Sequence, residues 1–458
     1  MYKIDFQRPI QIHFIGIGGI SMSSLAEILL HAGFTVTGSD NQNSPLTKRL
    51  QDLGASIDIG QSSDHISPQT ELVIYTAAIH PDNPEWVQAN KMNLPILSRA
   101  ELLGQMMEHY QNSIAVAGTH GKTTTTSMIS QILIEADTDP TISIGGILNL
   151  INDNTRIGKS DYFVIESCEY TNSFFHFFPK YSVVLNIEED HLDFFKDLND
   201  IRHSFQHYIN NTKEDGVLII NSEIEQMEEL TNQTNARILK FGFLDSDNYQ
   251  ARELSFQNEC TSFQLWINGS FSCTIELSLP GMHNVSNALA AIACTHSAGV
   301  SLDQIADSLS HCSGARRRFE RKGVFQGATI IDDYAHHPTE IKAALSAARK
   351  LNPTRLICVF QPHTYTRTAA FMDEFATALS DADLVILPDI YAARETDTLG
   401  ISSDDLCQLL IKNGTQALYF PSFEEIENYL EKNCVNGDLL ITMGAGNVVN
   451  IGEHLLRV

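Results

Sequence analysis

Lys122 and Thr123 follow Gly121 directly in the segment AVAGTHGKTTTT, residues 115–126. Gly-Lys-Thr between a strand and a helix is the working end of a phosphate-binding loop. Its glycines expose N–H groups, the lysine reaches the β and γ phosphates, and the threonine hydroxyl can ligate Mg²⁺. The longer form of that loop, Gly-x-x-x-x-Gly-Lys-[Ser/Thr], needs glycine at position 116, where this chain has Val116. Gly118, Thr119, His120, Gly121, Lys122, Thr123 and Thr124 therefore read as a shortened nucleotide loop. Two later runs bring acids to the ends of apolar strands. DYFVIESCEY carries Glu166 and Glu169, and YSVVLNIEEDHLD carries Glu188, Glu189, Asp190, His191 and Asp193. Ligands of open α/β sheets bind at that edge. Oxygen ligands facing a triphosphate suit Mg²⁺, although acids taken singly are more often solvated loop residues.

Other candidates are grouped by position. Gly16, Gly18 and Gly19 lie between a strand and a helix in IQIHFIGIGGISMSS, and Ser21 takes the third glycine place of a dinucleotide fingerprint. This loop suits a diphosphate at the helix N-terminus and gives only a weak signal for NAD. Ser39 and Asp40 close the strand TVTGSD, where Asp40 can meet a sugar hydroxyl. His283, Asn284 and Asn287 open a helix pattern; the amides can read a purine edge or can cap the helix. His336, His337, His363 and Arg367 all come just after strands, and MGAGN, residues 443–447, is a further glycine loop.

These residues need elements to hold them. Strand and helix patterns alternate three times along the chain, the signature of doubly wound α/β domains with parallel sheets. We expect a Rossmann-like domain over 1–111, a central P-loop ATPase domain over 112–321 and a second Rossmann-like domain over 322–458. The central domain carries a small β part, because TSFQLWINGSFSCTIELS alternates around Asn268-Gly269, a hairpin signal. The 458 residues exceed one ordinary core. A net charge of −26 makes nucleic acid or an anionic membrane an improbable partner. The eight cysteines contain no Cys-x-x-Cys pair, as expected of reduced thiols. No apolar run reaches 18 residues and the start has no secretory pattern, so a cytoplasmic protein is expected.

Taken together, GIGGISMS, GSD, AGTHGKTTT, NIEEDHLD, GMHNVSNALAA, RRFE, DDYAHHPTEI, QPHTYTRT and MGAGN resemble, in order and over the whole chain, the Mur ligases of bacterial cell-wall synthesis. DYAHHPTE and QPHTYTRT point to the alanine-adding branch. The resemblance implies ATP and Mg²⁺ as cofactors and UDP-N-acetylmuramate and L-alanine as substrates. It implies an acyl phosphate made from the lactyl carboxylate, and a monomer or weak homodimer. Gly16, Gly18, Gly19, Ser39 and Asp40 would then hold the UDP part. Lys122 would hold the γ-phosphate, Thr123 and Glu166 one Mg²⁺, and His191 with Glu166 a second. His283, Asn284 and Asn287 would surround the adenine. Arg318, with Arg317 beside it, would face the phosphates, and Asp333 the ribose. Tyr334, His336, His363 and Arg367 would surround the alanine and the acyl carbon, with Arg367 on the alanine carboxylate. Many alanine-adding relatives carry arginine where this chain has Thr364, which leaves that carboxylate to Arg367. Other Mur ligases use a carbamylated lysine where alignment puts Phe205, so no carbamate is expected. The alternatives are a tripeptide-adding recycling ligase, an NAD-dependent oxidoreductase and a catalytically silent nucleotide-binding regulator.

Overall fold

The computed structural model describes residues 2–76, 79–192, 194–257, 260–393 and 395–457. The chain forms two compact units. One comprises Met1–Ile187, Ile201–Phe241 and Ala290–Ile305; the other comprises Glu188–Asp200, Gly242–Leu289 and Ala306–Val458.

The first unit contains a five-stranded parallel sheet in the order Ser56–Ile59, Thr35–Asp40, Gln11–Ile15, Leu72–Tyr75, Ile96–Ser98. The order reverses direction beside Gln11–Ile15, so the glycine loop after that strand stands at the topological switch point. The unit also holds a run of seven strands: Arg237–Gly242, Val217–Asn221, Tyr181–Val184, Asn112–Ala117, Tyr162–Ser167, Thr141–Leu148 and Asp153–Arg156. All are parallel except the last, which is antiparallel to its neighbour. Asn112–Ala117 is central and apolar, and Ile114 to Ala117 are fully buried. A strand covered on both faces reads as a continuous hydrophobic run. Phe205, on the helix Leu198–Asn210, is buried against Phe174 with ring centroids 5.3 Å apart.

In the second unit Tyr249–Gln257, Cys260–Ile267 and Ser270–Leu277 form an antiparallel meander. Asn268 and Gly269 both take positive φ, 49° and 76°, as a two-residue hairpin turn requires. The unit's other sheet runs Glu320–Phe325, Ala328–Asp333, Asp438–Met443, Arg355–Phe360, Leu384–Leu387, Ala417–Tyr419. Its first pair is antiparallel and the rest parallel. Helices cover both faces, and the strand pleat divides the core between them. Leu356, Cys358 and Phe360 pack with Ile341, Phe375 and Leu410 on one side, while Ile357 and Val359 pack with Ile426, Leu430 and Ile451 on the other. All eight cysteines are free thiols. Among the described residues no helix is long and apolar enough to cross a membrane.

Candidate active site

In the first unit the chain leaves Asn112–Ala117 and turns sharply at Gly118, whose φ is +148°. A Cβ there would lie 2.9 Å from Leu185 Cβ, so only glycine fits. Val116 is fully buried in the strand, and the loop proper begins two residues later than in the longer form. Gly121 ends it in the left-handed region, φ 82°, as the N-cap of Lys122–Glu135. The first N–H groups of that helix therefore point out of the loop, where an anion is favoured. Asn186 braces the turn. Its Oδ1 accepts from the His120 N–H at 2.8 Å, and its Nδ2 donates to the His120 carbonyl at 3.1 Å.

Lys122 Nζ donates to the carbonyls of Gly118 and Thr119 and pairs with Glu169 at 3.0 Å. Burial alone would lower the Lys122 pKa; Glu169, then Cys168 and Glu166, outweigh it and raise it, so the ammonium is firmly charged. The Thr123 hydroxyl donates to Glu166 Oε2 at 3.0 Å, and Gly145 N–H donates to Oε1 at 2.8 Å. A hydroxyl and a carboxylate are thus in contact at the first turn of the loop helix, an all-oxygen pair of the kind Mg²⁺ takes.

The other glycine loop lies on the five-stranded sheet. Gly16 and Ile17 N–H groups both donate to the Ser39 carbonyl at 2.9 Å, and Gly18 N–H donates to Asp40 Oδ2 at 2.8 Å. A Cβ on Gly18 would meet that carboxylate at 2.8 Å. The Ser39 side chain faces inward: its hydroxyl donates to buried Glu85 at 2.6 Å. Glu85 also meets His13 Nε2 at 3.1 Å, His65 Nδ1 at 2.8 Å and Ser62 N–H at 3.3 Å. Burial works against the Glu85 carboxylate, but the hydrogen bonds from His13, Ser39 and His65 prevail and lower its pKa. Ser21, in the third glycine place, accepts from Arg99 at 2.9 Å.

In the second unit, the ends of Ala328–Asp333 and Arg355–Phe360 lead into the residues predicted to do chemistry. A cavity of about 610 Å³ is lined by Asp190, His191, His363, Thr364, Arg367 and Tyr391, among others. Arg367 Nε and Nη2 donate to Asp190 Oδ1 at 3.2 and 2.9 Å, and Nη1 lies 3.3 Å from His363 Nδ1. Burial opposes the Asp190 carboxylate; His191, Arg367 and His336 together hold its pKa far below the usual range. Thr364, with φ 66°, caps Tyr365–Ala370 by accepting from Arg367 N–H at 3.4 Å. The His363 ring stands 5.6 Å from Tyr391 and 5.8 Å from His336. His336 Nδ1 lies 3.0 Å from the Tyr334 carbonyl, which can only accept, so the proton sits on Nδ1 and Nε2 carries the lone pair. Burial pushes the His336 pKa down to about 4, with Glu340 opposing, so the ring is neutral near pH 7.

Arg317 donates to Asp332 at 3.0 Å and to the carbonyls of Gly446 and Gly444 at 2.9 and 2.8 Å. Arg317 and Arg318 each stand 5.0 Å above the Tyr334 ring. Asp333 accepts from Phe319 and Ala335 N–H groups at 2.8 and 2.7 Å, and burial raises it to about 7, with Arg318 opposing. Asn284 Nδ2 donates to the Pro280 carbonyl at 2.7 Å and Asn287 Nδ2 reaches Asn284 at 3.4 Å, which leaves His283 on the same first turn, pushed down to about 4 by burial. Asp193 lies outside the described residues.

Three groupings thus emerge: Lys122, Thr123 and Glu166; the glycine loop with Asp40; and His336, His363 and Arg367. Sequence reasoning gave no role to Asn186, Glu85 or Tyr391, and assigned none to Asp190 beyond its acidity. Asn186 partners a residue 66 positions away, a relation that no local pattern carries.

Comparison with known proteins adds three matched stretches. Residues 11–111 match the profile "Mur ligase family, catalytic domain", 116–295 "Mur ligase middle domain" and 317–446 "Mur ligase, glutamate ligase domain". The chain is 58% identical, over all of both chains, to a UDP-N-acetylmuramate–L-alanine ligase of Agathobacter rectalis. Among solved structures it is similar to a UDP-N-acetylmuramate–alanine ligase of Thermotoga maritima, with 29% identity, 98% of each chain covered and a TM-score of 0.82. A murein peptide ligase of Psychrobacter arcticus, 27% identical with 98% of each chain covered, gives 0.71.

Proposed function

The chain belongs to the Mur ligase family, and we infer that it is an ATP-dependent ligase joining L-alanine to the lactyl carboxylate of UDP-N-acetylmuramate. The observation that carries this reading is the full-length likeness to an alanine ligase, which in structure exceeds the likeness to a murein peptide ligase. In this reading residues 1–111 take the UDP portion, 112–321 the ATP and 322–458 the amino acid.

A carboxylate is a poor electrophile. Transfer of the γ-phosphoryl group makes it an acyl phosphate and releases ADP; the amine then attacks the carbonyl carbon, phosphate leaves, and the amine loses a proton. Most of the catalysis is positioning and charge neutralisation. Lys122, firmly charged, leaves its loop carbonyls to meet the transferring phosphoryl oxygens. Thr123 and Glu166 form an oxygen donor pair that fits Mg²⁺, and the family resemblance assigns His191 to the metal as well; when bound, the ion would neutralise phosphate charge. Arg318 faces the phosphates, Asp333 the ribose, and His283, Asn284 and Asn287 the adenine. Gly16, Gly18, Gly19, Ser39 and Asp40 hold the UDP part, with Ser39 acting through its carbonyl on the loop. Arg367 takes the amino acid's carboxylate. Neutral His336, beside Tyr334 and His363, offers Nε2 to the amine proton.

The test is phosphate release by the purified protein with Mg²⁺-ATP and UDP-N-acetylmuramate, offering alanine, glycine, serine or the tripeptide separately. Alanine-dependent release with a product heavier by one alanyl unit is expected. Release with the tripeptide alone would move the chain to the recycling branch.

A further inference from the structure

The best-placed contact of Arg367 is with a protein carboxylate. Its Nε and Nη2 both donate to Asp190 Oδ1, and its Nη1 reaches His363. The pair is sheltered, with 11% of the Arg367 side chain and 9% of the Asp190 side chain exposed. All three residues line the same cavity. A guanidinium has five N–H donors in a rigid fork. Three are engaged here, so two remain, one on each Nη, to meet a carboxylate.

We propose that Asp190 is a positioning residue for the amino-acid substrate: it fixes Arg367 so that the remaining edge of the guanidinium meets the incoming carboxylate. The proposal rests on the reading of Arg367 above. Its support is the way Asp190 itself is anchored. The Asp190 carboxylate also accepts from the N–H of His191 at 2.7 Å. The residues just before it are tied to the start of the helix Pro338–Arg349. His337 Nε2 meets the Glu189 carbonyl at 3.0 Å, and the Thr339 hydroxyl donates to Glu188 Oε2 at 2.6 Å. His337 Nδ1 accepts from Thr339 N–H, so its proton is on Nε2, and the tether to Glu189 is a true donor contact. The segment that carries this carboxylate is thus restrained. The carboxylate orients the arginine and does not act as a plug that the substrate must displace.

The two roles predict opposite shifts. A plug competes with the amino acid, so removing it lowers the alanine KM. An orienting partner strengthens binding, so removing it raises the alanine KM. Asp190→Asn, Asp190→Ala, Arg367→Ala and the double variant Asp190→Ala/Arg367→Ala would be assayed at saturating Mg²⁺, varying alanine, ATP and UDP-N-acetylmuramate in turn. A hydrogen bond to a charged group is worth enough to raise the alanine KM of Asp190→Ala about tenfold or more. The ATP KM should stay within about twofold. Asp190→Asn, whose amide oxygen still accepts, should fall between Asp190→Ala and wild type. The double variant should bind alanine no worse than Arg367→Ala, because Asp190 acts through that arginine. A lowered or unchanged alanine KM, or an Asp190 effect that persists in the Arg367→Ala background, overturns the proposal. If Asp190→Ala fails to fold, the isosteric Asn variant carries the same test. Wild-type protein without alanine-dependent turnover would refute the proposed function instead, which keeps the two failures distinct.

Discussion

Lys122 has two roles that a double substitution can separate. It is the proposed phosphate ligand, and it is also the counter-charge of Glu169, whose side chain is only 3% exposed. Lys122→Met should abolish turnover and also strand a buried carboxylate. Removing one partner of a buried ion pair costs about 3–5 kcal/mol. Lys122 keeps 17% exposure, which lets some water in and argues for the low end, about 3 kcal/mol. A cooperative unit of roughly 150–250 residues shifts about 2–4 °C per kcal/mol, so Tm should fall by roughly 6–12 °C. Adding Glu169→Gln removes the stranded charge, and buried pairs replaced as a pair are often neutral or better. Lys122→Met/Glu169→Gln should therefore recover most of the lost Tm and none of the turnover. Thermal denaturation followed by circular dichroism, with phosphate release on the same samples, reads both. If the double variant melts as low as Lys122→Met, the pair is not what stabilises the loop. If it regains turnover, Lys122 is not the phosphate ligand.

Two further outcomes follow from buried ionisable groups. Glu85→Gln places an amide N–H₂ among the donors His13, His65, Ser39 and Ser62, so about 2–4 kcal/mol should be lost, and UDP-N-acetylmuramate binding measured by calorimetry should weaken because the Ser39 carbonyl that holds Gly16 and Ile17 shifts; unchanged Tm and affinity would show the cluster to be dispensable. In the second unit His283 and His336 are lowered to about 4, so stability falls as pH drops from about 6.5 to 4 and the unfolded chain takes up two protons; Asp333, raised to about 7, already holds a proton when folded over that range, which leaves one proton net and about 1.4 kcal/mol lost per pH unit. Asp333→Asn removes the opposing group, and urea titrations at pH 5 and 6 should show the slope double; an unchanged slope would refute the assignment.

Much of the nucleotide loop was legible because its parts are contiguous. Gly118, Gly121, Lys122 and Thr123 span six residues, between an apolar strand pattern and a helix pattern that turns apolar after its first turns. The Asn268-Gly269 hairpin was legible for the same reason. What stayed hidden depends on chain separation. Asp153–Arg156, the tetrapeptide DNTR, has no apolar alternation and is a strand only because it pairs with Thr141–Leu148. Ser39 was expected among the residues that hold the UDP part, but the inward turn of its hydroxyl is decided by Glu85, 46 residues on. Asp190 stood out as an acid after a strand, while its tie to Arg367 spans 177 residues.

The sheltered ion pairs share one physical cause. This chain carries 56 acidic against 30 basic residues, yet its proposed substrates are anions. A cation held ready in a sheltered site needs a counter-charge, because a lone buried charge is costly. Lys122 therefore sits on Glu169, Arg367 on Asp190 and Arg317 on Asp332. Each pair holds its cation in place before any substrate arrives. The partners differ in what they can do afterwards. Lys122 has one compact ammonium, so meeting a phosphate means giving up loop carbonyls or Glu169. Arg367 has donors left over and can keep Asp190 while it binds. The lysine contact is thus one to exchange and the arginine contact one to retain. This is why removing Glu169 from a Lys122 variant should restore stability alone, whereas removing Asp190 from wild type should weaken alanine binding.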